Sequence, residues 1–100
     1  MNEAVIRLSD AIQALAKPCG ILLYGAKQDL PAEGLREVNL CVIVKTDPKE
    51  TERMLYRSLD TDLAFNLLVY REEDWERLAA DPTSYAAGIL RKGVLLYGKA

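Results

Sequence analysis

The side chains with chemistry to offer fall in three places: Gly25-Ala26-Lys27, Glu37-Val38-Asn39 and Asn66. Side chains alternate along a strand with period two, so Glu37 and Asn39 share one face wherever that stretch is extended. Polar side chains buried at alternate strand positions need partners, and Asn39 and Asn66 on two neighbouring strands can hydrogen-bond each other. Gly25 suits either a loop that approaches a phosphate or a turn residue with positive φ. Ala26 is small enough for either, and Lys27 offers an ammonium to a phosphate or to solvent. The chain has no His. That removes Ser-His-Asp and Cys-His nucleophile systems, the HExxH zinc site and any imidazole acting near neutral pH. Catalysis would have to rest on carboxylates, Lys, Tyr or Cys.

The composition sets the remaining bounds. Its 100 residues suit one domain, spanning 1–100, and half of them are apolar, enough to build one core. The 13 Lys and Arg against 15 Asp and Glu give a net charge of −2, which provides no basic field for capturing duplex nucleic acid through its phosphates. Cys19 and Cys41 each stand beside apolar residues without CxxC spacing, and read as reduced, buried thiols. No apolar run approaches the roughly 20 residues of a membrane span. With no charged leader before an apolar run, the expectation is a soluble, cytoplasmic chain.

The elements that must position these residues follow from periodicity. Residues 2–17 carry Val5, Leu8, Ile12 and Leu15 on one helical face, with Asn2 as N-cap and Pro18 as the stop. Ile21 to Tyr24 reads as a short buried strand between Gly20 and Gly25, and Ala26 to Glu37 as a loop. Val38 to Lys45, β-branched and almost wholly apolar, reads as a central strand covered on both faces. Asp47-Pro48-Lys49-Glu50 opens a helix to about Ser58 that turns Met54, Leu55 and Leu59 inward. Leu63 to Tyr70 is a further strand. The acidic run Glu72 to Asp74 matches the dipole at the start of a helix burying Trp75, Leu78 and Ala79. Asp81-Pro82 ends it and caps a last helix, about Thr83 to Lys92, with Tyr85, Ile89 and Leu90 inward; Arg91 and Lys92 complement its C-terminus, and Val94 to Tyr97 closes the chain as a strand. The order implies an α/β domain with a small mixed sheet and helices packed against it. The tetrapeptide Leu-Leu-Tyr-Gly, at 22–25 and 95–98, reads as two strand-to-turn endings.

Four segments stand in the order and spacing of a known pattern: Ile21-Leu22-Leu23-Tyr24-Gly25-Ala26-Lys27, Glu37 to Val44, Phe65 to Tyr70, and Ile89 to Gly98. Together they resemble the minimal nucleotidyltransferases (MNT proteins) of the DNA polymerase β superfamily, over nearly the whole chain. In that family a strand ends in Gly-Ser, the next carries Asp-x-Asp, a third carries one more Asp, and an Ile-Leu-x-x-Gly-Val-x-Leu-Tyr-like tail follows. The resemblance implies the polymerase β palm-like fold. It also implies a chemistry: three carboxylates hold Mg²⁺ ions that clamp the attacking and leaving oxygens, while the Gly-Ser turn approaches the triphosphate of ATP.

This sequence departs from the pattern at its chemical positions. Ala26 stands for Ser, Glu37 and Asn39 for the Asp-x-Asp pair, and Asn66 for the third Asp. One carboxylate, Glu37, remains as the metal-ligand candidate, so the expectation for Mg²⁺ and ATP is weak binding or none. Gly25, Ala26 and Lys27 are the positions that map onto the nucleotide-binding turn. The fold-bearing apolar runs are kept where the chemistry is lost. The first reading is therefore a catalytically inactive or impaired member that binds a partner or a nucleotide. The family implies a HEPN-domain protein in a toxin-antitoxin pair, or a second copy in a homodimer. Two others stand beside it: an active Mg-dependent transferase moving AMP from ATP, using Glu37 with Asp47 or Asp62, and a purely structural dimerisation module.

Overall fold

A computed structural model describes residues 2–28 and 34–100. Its elements run α1 (Glu3–Ala16), β1 (Gly20–Gln28), β2 (Leu35–Val44), α2 (Pro48–Ser58), β3 (Ala64–Arg71), α3 (Glu72–Ala79), α4 (Tyr85–Lys92) and β4 (Val94–Gly98). The four strands form one mixed sheet in the order β3-β2-β1-β4. β1 lies antiparallel to both β2 and β4, and β2 lies parallel to β3. A parallel neighbour requires a crossover, which α2 supplies.

The sheet has helices on both faces because β2 is apolar on both. Val38, Leu40, Val42 and Val44 point to one side, where Val5, Leu8 and Ile12 of α1 and Leu55 of α2 complete a core with Ile21 and Leu67. Cys41 and Ile43 point to the other, where Trp75 of α3 and Ala86 and Ile89 of α4 pack with Leu22. Each of those β2 residues is at most 1% exposed. Burial of this kind, at about 25 cal/mol per Å² of apolar area, is what holds the strand in one register.

Local signals place the helix ends. The Asn2 side chain accepts from the N–H groups of Ala4 and Val5. Asp47 accepts from Lys49 N–H, with Pro48 opening α2. The cap of α4 is Ser84, not Asp81-Pro82: its Oγ accepts from Ala87 N–H at 3.0 Å and donates to the Leu78 carbonyl at 2.5 Å, joining α3 to α4. Asp81 instead accepts from the N–H and hydroxyl of Thr83, and these bonds hold its carboxyl below the ordinary range.

Several expectations are corrected. β1 does not stop at Tyr24 but continues through Gly25, Ala26 and Lys27, which pair with Asn39, Val38 and Glu37. Half of the stretch expected as a loop, residues 26–28 and 35–37, is therefore strand, its polar composition reflecting a sheet end without helix cover. Part of that expectation, residues 29–33, lies outside the described residues. Gly25 accordingly occupies extended strand, and Gly98 of the second Leu-Leu-Tyr-Gly, though at φ 70°, is still paired with Gly20 in the sheet, so neither copy closes a turn as expected. Leu15, Tyr85 and Leu90 point outward rather than into the core. Leu15 lies past the sheet in the open groove between α1 and α2, with Ala16 and Met54. Tyr85 opens α4 and sets its ring edge against Tyr24. Leu90 follows Ile89 round the helix, away from the face that packs.

Candidate functional site

The parallel register sets Asn39 beside Asn66, and the antiparallel register sets Gly25 beside Asn39 and Lys27 beside Glu37. Glu37 and Asn39 follow the phase of Cys41 and Ile43, so they stand on the α3/α4 face, beyond the part that the helices cover. They form a ledge at the start of β2 that is not buried as expected: Glu37 and Asn39 are half-buried and Asn66 is exposed. There the Asn66 side-chain N–H₂ donates to Asn39 Oδ1 at 3.0 Å and, in a longer contact of 3.4 Å, to Glu37 Oε2. Lys27 Nζ reaches the same Glu37 oxygen at 3.6 Å.

Gly25 has a steric role on this ledge. A Cβ at that position would lie 2.8 Å from Asn39 Nδ2, inside normal contact distance, so the glycine leaves the space the amide fills. An irregularity in the β1–β2 ladder between Leu23 and Gly25 sets this phase. The extra residue, Tyr24, shifts everything after it, which brings Lys27 onto the ledge and sends Ala26 to the opposite face opposite Val38. Of the positions singled out in the sequence, the structure thus gathers Glu37, Asn39, Asn66, Gly25 and Lys27, and leaves Ala26 apart.

The electrostatics of the ledge are those of a closed set. Two carboxamides and one carboxylate share donors among themselves, and the carboxylate has an ammonium beside it. Three carboxylates in the same places would repel in the absence of a cation. The amide nitrogen of Asn66 instead lies within reach of both Asn39 Oδ1 and Glu37 Oε2 and donates to them. The other acids considered for a rearranged metal set stand elsewhere. Asp47 caps α2 at the far end of β2, and Asp62 lines a groove under α1 with Arg7 and Asp60. Among the described residues, no group of three or more His, Cys, Asp or Glu is placed to hold a metal ion.

The remaining nucleophile and base types are muted. Cys41, buried in β2, has its thiol pushed up to about 12 by burial. Cys19 is raised by burial and by its neighbour Glu72, and both cysteines are free. The Tyr24 phenol is held above its ordinary range by burial and then by Tyr85, and Tyr70 by burial. None of these acts as a base near neutral pH. Tyr24 and Tyr85 nonetheless border the ledge, ring edge to ring face at 6.3 Å, with Lys92 Nζ 5.8 Å from the Tyr24 ring. Sequence reading assigned Tyr85 to the core. The available signal against it was its place straight after the Ser84 cap, where a side chain emerges before the helix has turned inward.

Comparison with protein-family models, curated proteins and solved structures finds no match to this chain. Among the described residues the chain is an α/β fold of four strands in a mixed sheet and four helices, with no helix long and apolar enough to cross a membrane.

Proposed function

We propose that this chain is a nucleotidyltransferase-fold protein of the MNT kind that no longer transfers nucleotides and acts by binding a protein partner. The observation that carries the reading is the bond from Asn66 Nδ2 to Asn39 Oδ1 at 3.0 Å, with Glu37 Oε2 at 3.4 Å from the same nitrogen. A metal-holding cluster needs oxygens converging on an empty centre, and here a hydrogen-bond donor stands between them. An Asn oxygen can ligate a cation, but it neither neutralises the charge nor serves as a base. Two divalent ions facing only Glu37 would lack the anionic support that in-line displacement requires.

Partner binding is preferred to nucleotide binding because Lys27, the cation in the segment that maps onto the phosphate loop, is engaged by Glu37. The resemblance points to the kind of partner, a helical HEPN-domain protein restrained by contact. The reading predicts no transfer of labelled AMP from ATP, with Mg²⁺ or Mn²⁺, to the chain or to a HEPN partner, and complex formation that Glu37→Gln leaves intact. Transfer that Glu37→Gln abolishes would overturn it in favour of an active transferase.

A further inference from the structure

The helical arginines divide into two kinds. Arg7 on α1 and Arg77 on α3 each meet a carboxylate one turn back, Glu3 at 3.1 Å and Asp74 at 3.3 Å, and Arg91 on α4 donates to the Pro82 carbonyl at 3.4 Å. Arg53 and Arg57 on α2 have no ion-pair or hydrogen-bond partner among the described residues. Arg53 is left so although Glu50 precedes it at the same three-residue spacing as Asp74 and Arg77. Like charges four apart on one helix work against that helix. Both arginines border a groove of about 510 Å³ between the end of α1 and α2. Its floor is apolar: Leu15 is 42% exposed there, and Ala16 and Met54 pack beneath it against the core. The two hydroxyls on its lining, Thr46 and Thr51, are bonded to each other at 2.9 Å. What the groove leaves open is apolar surface and two guanidinium groups.

We infer that the α1–α2 groove is a docking site for an acidic amphipathic helix of another protein, whose carboxylates pair with Arg53 and Arg57 while its apolar side chains cover Leu15 and Met54. Charge complementarity selects this occupant. Two carboxylates one turn apart on a helix match the spacing of two arginines one turn apart on α2, so one helix laid along the groove engages both guanidinium groups. The apolar floor then takes the side chains between them. Glu50, the one acid on the lining, stands in the first turn of α2, where it suits the positive N-terminal end of the docked helix. A nucleic acid fits less well. No aromatic ring lines the groove to stack a base, and Glu50 repels a phosphate chain. A groove of this size seats an anchor and not a whole interface, which places the complex in the weak, transient class. The groove lies on the α1/α2 side of the sheet and the ledge on the α3/α4 side, so docking here is independent of any chemistry there.

The probe is a dye-labelled helical peptide of about 15 residues, with Glu at two positions four apart and Leu on the adjoining face, titrated into the full chain and followed by fluorescence anisotropy. Saturable binding is expected. Arg53→Gln/Arg57→Gln should raise Kd about tenfold, the size of two exposed ion pairs, and Leu15→Ser should raise it as well. Arg7→Gln/Arg77→Gln removes the same charge elsewhere and should leave Kd unchanged. All of these side chains are exposed, and circular dichroism checks that each variant is folded. Where the Arg53/Arg57 variant is not, backbone amide shifts of the unmodified chain decide, with changes on adding peptide expected at 14–17 and 50–57. No saturable binding, equal affinity for a peptide with Lys in place of Glu, equal losses in the two arginine variants, or shifts centred on the ledge or β4 would each overturn the proposal. Single-stranded RNA or phosphatidylserine vesicles that bind at these residues more tightly than the peptide would do the same, since the occupant would then not be a protein.

Discussion

Asn66 donates through one nitrogen to two acceptors, and the Gly25 backbone leaves room for one of them. The bond between Asn39 and Asn66 was legible in the sequence, since period-two alternation and two apolar runs were enough to put them side by side. The place of Ala26 was not. A bulge at Tyr24 changes the phase of everything after it, and no composition signal distinguishes that strand from a regular one. The same bulge turns Gly25 from a turn residue into a spacer. Gly25→Ala is therefore expected to displace the Asn39 amide and cost about 1 kcal/mol, the net worth of one hydrogen bond. Urea unfolding measures it, and the loss should disappear when the same change is made in Asn39→Ala, which has no amide to displace. A full-sized loss in that background would place the strain elsewhere.

At the scale of elements, the helices and the central strand were legible because caps and periodicity agree. Asn2 and Asp47 cap where expected, and β2 is buried on both faces as its apolar run required. The misreadings fall where packing, not pattern, decides. Leu15, Tyr85 and Leu90 belong to amphipathic stretches, yet each lies past the end or side of the sheet that would have covered it. Tyr56 is the converse case, an aromatic on a charged helix whose task is visible only beside β3: its hydroxyl accepts from Leu67 N–H at 2.8 Å and its ring stacks on Phe65 at 5.3 Å. Tyr56→Phe keeps the ring on Phe65 and leaves the Leu67 N–H without its protein partner. The expected cost is about 1 kcal/mol in chemical denaturation, together with faster exchange of the Leu67 amide. An unchanged exchange rate would show that the hydroxyl does not hold that amide.

For the molecule as a whole, the thiol and phenol shifts set the response to alkali. Cys41 titrates at an ordinary 9.0 when unfolded and is pushed up to about 12 by burial when folded. Between these values the unfolded chain has lost a proton that the folded chain retains, so stability falls as pH rises. Tyr24, Tyr70 and Cys19 shift the same way and add to the slope. Stability should thus be insensitive to these groups below pH 9.0 and decline from there toward about 12. Cys41→Ala should make the decline shallower, and an identical slope in that variant would contradict the assignment.

Glu37, Asn39 and Asn66 share an amide network that the proposed reading sets in place of a metal cluster, and metal-dependent stability separates the two. Thermal unfolding of the unmodified chain should not respond to millimolar-range Mg²⁺ or Mn²⁺. Asn39→Asp/Asn66→Asp places two more carboxylates beside Glu37, so it should melt lower without metal, and added Mn²⁺ should restore the loss. Ala26 stays unchanged, because it faces the other side of the sheet. Stabilisation of the unmodified chain by either ion, or a double variant that melts the same with and without metal, would contradict that reading.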